Sequence, residues 1–215
     1  YPVLQMGDVA DNFIILDCGE GVQLSGTPTS FHFVLPPGTY NGFKLIISTT
    51  DGQFMEKSTD KQLKIKRSIV TKAASFAFEN TATNFTDLSE RGTANSYIVT
   101  QGGYYSFDAT VIGNGEFGFP ANNNYHTNSP EIAPASAELL WADNHKLING
   151  CGYDASTGML KFLTSGDEGN AVIAAKDSEG NILWSWHIWM TDQPEEQVYN
   201  NNAGTLMDRN LGATS

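Results

Sequence analysis

The stretch that decides the fold of this chain is Ala171–Met190, with the sequence AVIAAKDSEGNILWSWHIWM. Two apolar runs flank Lys176–Asn181, a polar segment of hairpin-loop length whose glycine can adopt positive φ at little cost. In the second run the side chains alternate, which places Trp184, Trp186 and Ile188 on one face of a strand. The stretch therefore predicts a β-hairpin with one strongly apolar face.

The opposite face of this second strand carries Ser185, His187 and Trp189. We expect Trp184 and Trp186 in the core, because large aromatic rings each bury about 150–250 Å² in a packed interior. Trp189 lies on the more polar face, and we expect it to be the exposed ring of the stretch. Exposed rings can stack on sugars, which gives three candidates for ligand binding. These candidates are Trp189, His187 and Tyr125.

The rest of the chain shows the same period-two alternation, with turn residues between short apolar runs. The predicted strands include Phe31–Leu35, Phe43–Ile47, Leu63–Ile65, Phe76–Glu79, Tyr104–Val111, Ala137–Trp141 and Met159–Leu163. Helical periodicity is nearly absent, and only Asp192–Asn200 predicts a helical turn or two. Short strands at a spacing of roughly 8–12 residues favour β-sandwiches over an α/β fold.

Asn80–Asn95 is rich in Thr, Asn and Ser and weak in periodicity, which is typical of a linker. We therefore predict an all-β protein with very little helix, built from two tandem β-sandwich domains of transthyretin-like or immunoglobulin-like Greek-key type. The predicted boundaries are residues 1–84 for the N-terminal domain, 85–93 for the linker and 94–215 for the C-terminal domain.

The charge of the chain is acidic and unevenly distributed. The net charge is −12, and a general nucleic-acid binder is excluded because that function needs a basic face. Residues 1–91 carry a net charge of −2 and residues 92–215 a net charge of −10. Six of the twelve basic residues nevertheless lie within residues 57–72. They indicate either a solvated strand face that protects a sheet edge, or a docking surface for an acidic partner such as the second half of a neighbouring copy.

Motifs for catalysis or metal binding are missing from the sequence. No G-x-S-x-G or H-E-x-x-H motif occurs, and the four histidines are scattered. The acidic loops Asp167–Asn170 and Asp177–Asn181 lack EF-hand spacing, and we interpret them as turns. Cys18 and Cys151 are predicted to be two free or buried thiols, with a long-range disulfide as the alternative. We predict no catalytic residues, no metal and no cofactor, and no apolar run approaches the ~20 residues that span a membrane.

Several phrases of the chain resemble the fimbrillin-like surface proteins of Bacteroides-type bacteria. The most specific are EGNAVIAAKDSEGNILWSWHIWMTD at Glu168–Asp192 and DRNLGATS at Asp208–Ser215. Looser similarity lies in Leu35–Lys57, Leu63–Glu79, Ala94–Val99 and Tyr105–Gly115. Such proteins usually have more sequence upstream of Tyr1 and often continue beyond Ser215, so we expect a fragment of a longer surface protein.

The resemblance implies an exported, non-catalytic protein of the bacterial cell surface, outer membrane or fimbrium, either a pilus subunit or an adhesin. It also implies partners that are other fimbrial or surface subunits, bound by β-strand pairing. Host or microbial glycans or proteins are further expected partners; nucleic acid and a direct membrane span are not. Two other functions stay open at this point. One is a carbohydrate-binding module that uses exposed aromatic residues, and the other is an enzyme whose site is discontinuous in sequence.

Overall fold

The computed structural model of the protein describes residues 13–19, 21–116 and 130–213. In these ranges every regular element is a β-strand, and no helix is long and apolar enough to cross a membrane. The strands are β1 (Gly38–Tyr40), β2 (Phe43–Ser48), β3 (Phe54–Thr59), β4 (Leu63–Ile65), β5 (Thr86–Asp87), β6 (Ser96–Val99), β7 (Gly103–Asp108), β8 (Ser136–Ala142), β9 (Ile148–Asp154), β10 (Met159–Thr164), β11 (Gly169–Lys176), β12 (Ile182–Met190), β13 (Glu196–Val198) and β14 (Thr205–Met207).

Eight of these strands form two four-stranded sheets, which confirms the prediction of an all-β, sandwich-like fold. The first sheet has the order β5-β7-β10-β9, and the second has the order β6-β12-β11-β8. Neighbouring strands are antiparallel, except for the pairs β5–β7 and β6–β12, which are parallel. Strands β11 and β12 are the hairpin predicted from Ala171–Met190.

The two four-stranded sheets share one hydrophobic core. Trp186 and Ile188 of β12 are fully buried in it, as the alternation predicts. The Trp186 ring packs against Phe107 of the first sheet, with 5.1 Å between ring centroids. Trp184 packs against the same core but is only half-buried, and its Nε1 donates a hydrogen bond to Asn95 Oδ1 at 3.0 Å. The core placement is therefore confirmed for Trp186 and Ile188, whereas Trp184 lies at the margin of the core.

Three segments fold differently from the sequence prediction. Phe31–Leu35 and Phe76–Glu79 form no strand, and the side chains of Phe31 and Phe76 are exposed. An alternating segment becomes a strand only where a neighbouring main chain pairs with it, and no described residue does so here. Asp192–Asn200 contains β13 instead of a helical turn, because its main chain pairs with β14.

The first half of the chain contributes two two-stranded sheets, the β2–β3 hairpin and the pair β1–β4, whose strands precede and follow that hairpin in the chain. The β2–β3 hairpin packs on the first four-stranded sheet through Phe54, which is fully buried with its ring centroid 5.5 Å from that of Tyr104. At the hairpin tip, the Thr50 carbonyl accepts a hydrogen bond from the Tyr153 N–H at 3.1 Å. Strand β5 lies in the predicted linker and pairs with β7. The division into two domains at residues 85–93 stays a prediction.

We expect Gly152→Ala to loosen the contact between the β2–β3 hairpin and β9. A Cβ at position 152 would lie 2.5 Å from Gly52 N and 2.5 Å from Thr49 O, both main-chain atoms of the hairpin tip. Overpacking of this kind typically costs about 1–3 kcal/mol of unfolding free energy. Denaturant unfolding measures the cost, and faster amide exchange in β2 and β3 locates it. Gly26→Ala is the matched control, because a Cβ there meets nothing within 4 Å. Equal stability of the two variants would contradict this packing.

Candidate functional site

His187 lies at the centre of a polar network on the outer face of the second sheet. The register between strands places Trp141, Val172, His187 and Ser96 in one row across β8, β11, β12 and β6. His187 is half-buried, with Ser96 Oγ 2.8 Å from its Nδ1 and Asn170 Oδ1 2.9 Å from its Nε2. Both ring nitrogens therefore have partners within the chain.

The hydrogen bonds of Asn170 indicate that Nε2 of His187 carries a proton. Asn170 Nδ2 donates to Asp143 Oδ2 at 2.9 Å and to the Gly212 carbonyl at 3.1 Å. Since Oδ1 is then the acceptor that faces His187, Nε2 carries a proton. Burial lowers the pKa of the imidazole, so at neutral pH Nδ1 carries no proton and accepts from the Ser96 hydroxyl. The neutral imidazole thus links β6 to β11, and Asn170 extends the link to the C-terminal segment, residues 208–213.

Trp189 lies on the same outer face and is fully buried, so the expectation that its ring is exposed is wrong. Its Nε1 donates a hydrogen bond to the Ala213 carbonyl at 2.8 Å. The C-terminal segment covers the ring, and strand alternation cannot reveal a cover supplied by residues 24 positions away. As a fully buried side chain, Trp189 offers no free ring face to a ligand in this structure.

Arg209 links the start of the C-terminal segment to the end of β12 through ion pairs. Its guanidinium forms ion pairs with Asp192 and Asp208 and contacts Thr191 Oγ1 at 3.4 Å. Hydrogen bonds from Arg209 lower the pKa of both Asp192 and Asp208, and the two carboxylates raise the pKa of the guanidinium. Arg209, Gly212 and Ala213 thus anchor the segment at three points along the outer face.

Trp141 is the exposed ring of the outer face, and the sequence analysis did not single it out. Strict alternation would place it with Ala137 and Leu139, which pack against the core. A bulge in the pairing of β8 with β11 instead sets Trp141 opposite Val172, with 53% of its surface exposed. Tyr125, the third candidate of the sequence analysis, lies outside the described residues.

The Ser96–His187 contact differs from a serine-hydrolase triad. In the triad the nucleophile contacts Nε2 and the carboxylate contacts Nδ1, whereas here Ser96 contacts Nδ1 and an amide contacts Nε2. Two surface cavities, of about 500 Å³ and 450 Å³, include no histidine in their linings. The outer-face network is therefore best described as a set of hydrogen bonds that hold the C-terminal segment on the second sheet.

The acidic loop Asp177–Asn181 behaves as a turn. Asp177 Oδ1 accepts hydrogen bonds from the N–H groups of Glu179 and Asn181, at 2.9 and 2.8 Å, and the Asn181 contacts lower the pKa of this carboxyl. Within the described ranges no three His, Cys, Asp or Glu side chains cluster closely enough to hold a metal ion. Cys18 and Cys151 are free thiols, and burial raises the pKa of Cys151 to about 12.

We expect the protein to lose stability as the pH falls below about 6.5, the usual pKa of an unfolded histidine. Burial lowers the pKa of His187 in the fold, and the nearby Asp143 carboxylate opposes that shift only partly. The unfolded chain then binds a proton more readily than the folded chain, so the stabilisation is complete above this pH and declines below it. Thermal melts from pH 7.5 to 5 should show a smaller decline for His187→Gln than for the parent. Parallel declines would contradict the assignment.

Comparisons with known proteins do not place this chain in a family. No protein-family model, no curated protein and no solved structure matches it. The resemblance to fimbrillin-like proteins and the functions that it implies therefore stay predictions. The geometry of the outer face is the basis for a functional proposal.

Proposed function

We propose that this chain is a non-catalytic structural or adhesive module of a bacterial cell surface, as in a fimbrillin-like pilus subunit or adhesin. The observation that carries the proposal is the contact between the two stretches with the most specific resemblance. Glu168–Asp192 supplies β11 and β12, and Asp208–Ala213 covers their outer face through the hydrogen bonds of Trp189 and Asn170. The two stretches thus act as one structural unit.

The arrangement of polar groups supports a mechanical role over a catalytic one. On the outer face, the Ser96, His187 and Asn170 side chains bond to one another, and the chain of contacts ends at the Gly212 carbonyl. Such a network ties separate strands together and adds rigidity when its members are satisfied. A module that transmits load or displays a binding site benefits from rigidity of this kind.

Partner subunits would bind by β-strand pairing at a sheet edge. Strand β8 is an edge of the second four-stranded sheet; it lies beside β9 without forming a main-chain ladder with it, and Leu140 and Trp141 are exposed on it. An unpaired edge offers main-chain donors and acceptors to an added strand, and the side chains beside it set the register.

The first test is protease shaving of intact cells that produce the natural protein containing this sequence. A surface module is cleaved in intact cells, whereas a protein that survives until lysis contradicts the proposal. Light scattering and negative-stain electron microscopy of that protein and of this chain then separate the two forms of the proposal. Fibres or multimers that the natural protein forms and this chain alone does not form indicate a pilus subunit, and their absence indicates a stalk or tip adhesin.

A carbohydrate-binding module is the second candidate, and one observation favours it. The exposed Trp141 ring lies in the same row as Val172 and His187, so a flat ring stands beside polar groups on an open sheet face. Sugars stack on exposed rings, and binding should change tryptophan fluorescence. A response to a glycan panel that disappears in Trp141→Ala would support this function. A flat response across the panel would contradict it.

A further inference from the structure

Five basic residues of the first half are exposed within one short segment, defined here as the basic strip, residues 61–72. Lys61, Lys64, Lys66, Arg67 and Lys72 are exposed, and none of them forms an ion pair with another described residue. The strip carries five positive charges and no negative charge in a protein whose net charge is −12. Neighbouring like charges repel one another, so an acidic surface that approaches the strip lowers its electrostatic free energy.

Apolar side chains lie within the same strip and are not explained by a solvated strand face. Ile69 is 56% exposed and Val70 is 76% exposed, next to a turn in which the Ile69 N–H donates to the Lys66 carbonyl at 3.3 Å. Protection of a sheet edge relies on charge and does not require these apolar side chains. Charges around an apolar centre are instead typical of a protein interface, with its apolar core and polar rim.

A second exposed surface has the opposite charge, the acidic hairpin, residues 195–207, which contains β13 and β14. Its two strands pair with each other and belong to no larger sheet. Glu195 and Glu196 are exposed and form no ion pair within the described ranges. Arg209 is paired with Asp192 and Asp208. The hairpin contains no basic residue.

The acidic hairpin also exposes apolar side chains. Val198 is 71% exposed, and the other exposed members are Tyr199, Leu206 and Met207. A short isolated hairpin with an unburied apolar surface gains stability from a partner. The basic strip and the acidic hairpin are thus complementary both in charge and in apolar content, and each is exposed to solvent within one molecule.

We propose that the acidic hairpin of one copy docks on the basic strip of a second copy. The occupant is a second copy because the complementary surface is present on the chain itself, yet the two surfaces do not cover each other within a molecule. The contact joins two different surfaces and is therefore heterologous, so it leaves a free strip and a free hairpin at the two ends of each dimer. It is made by side chains, and it does not depend on the display of the protein on a cell surface.

Sedimentation velocity on the full chain tests this contact. The parent should associate with rising concentration in 50 mM salt, and its dissociation constant should rise by about tenfold or more in 500 mM salt, because salt screens exposed charges. A parent that stays monomeric across the concentration series overturns the proposal. That outcome would leave the surface-module proposal standing, since protease shaving tests that proposal separately.

Charge reversal provides the sharper test. Lys64→Glu with Lys66→Glu and Arg67→Glu makes the strip acidic, and Glu195→Lys with Glu196→Lys makes the hairpin basic. Each variant alone should lose association, because both of its surfaces then carry the same sign. An equimolar mixture should regain association, since the unaltered acidic hairpin of the strip variant meets the unaltered basic strip of the hairpin variant. The reversed pair, an acidic strip against a basic hairpin, also has opposite charges. Loss without this regain overturns the proposal, and unchanged thermal melts establish that both variants are folded.

Discussion

Trp186→Ala should lower the free energy of unfolding by about 3–5 kcal/mol, the usual cost of emptying a fully buried aromatic site. The ring is 0% exposed and packs against Phe107 between the two four-stranded sheets. Removing it leaves a cavity between the sheets that the surrounding side chains fill only in part. Denaturant unfolding followed by far-UV circular dichroism measures the loss, because the fluorescence signal changes with the tryptophan content.

Trp186→Phe is the matched variant for this prediction. The Trp186 Nε1 is buried and has no hydrogen-bond partner, so phenylalanine gives up no hydrogen bond in replacing it. It keeps most of the apolar surface and should therefore cost clearly less than alanine. The exposed Trp141→Ala should change stability by less than about 0.5 kcal/mol, as surface substitutions usually do. Equal losses for Trp186→Ala and Trp141→Ala would contradict the placement of Trp186 in the core.

Trp189→Ala should also cost about 3–5 kcal/mol, and it should in addition release the C-terminal segment. The ring is fully buried beneath that segment, and its Nε1 donates a hydrogen bond to the Ala213 carbonyl. Without the ring, the segment loses both its apolar support and one of its three anchor points. Trypsin should then cleave after Arg209 more rapidly under native conditions, which mass spectrometry of the released peptide measures.

Two variants separate local release from general destabilisation. Trp186→Ala has a comparable expected cost but leaves the segment's contacts in place, so cleavage after Arg209 should not outpace cleavage elsewhere. Trp189→Phe keeps an aromatic ring and removes the N–H donor, which should cost about 0.5–1.5 kcal/mol. If Trp189→Ala and Trp186→Ala give the same cleavage pattern, the segment is not held by Trp189.

The core side of β12 was predictable because it depends on local information. Alternation along a strand is a property of the backbone, and it assigned Trp186 and Ile188 to one face before any partner strand was known. The same reasoning identified the β11–β12 hairpin from its polar loop. The prediction was correct where it needed only the set of side chains that share one face of β12.

The exposures of Trp189 and Trp141 were not predictable, for two different physical reasons. Trp189 is buried because a distant segment lies over it, and Trp141 is exposed because a bulge shifts it to the other face. Neither cause leaves a mark in the local pattern. A side chain's exposure depends on what covers it, and a one-residue irregularity reverses every later side chain on a strand.

By itself, the amino-acid sequence determined the all-β class, the β11–β12 hairpin, the apolar face of β12 and the uneven distribution of charge. Only the tertiary structure decided that Phe31–Leu35 and Phe76–Glu79 stay unpaired, and that Ser96, His187 and Asn170 meet. This difference between what the sequence determines and what the tertiary structure decides follows from distance along the chain. Periodicity and turn chemistry act over a few residues, whereas strand partners and side-chain networks join residues that are up to 91 positions apart.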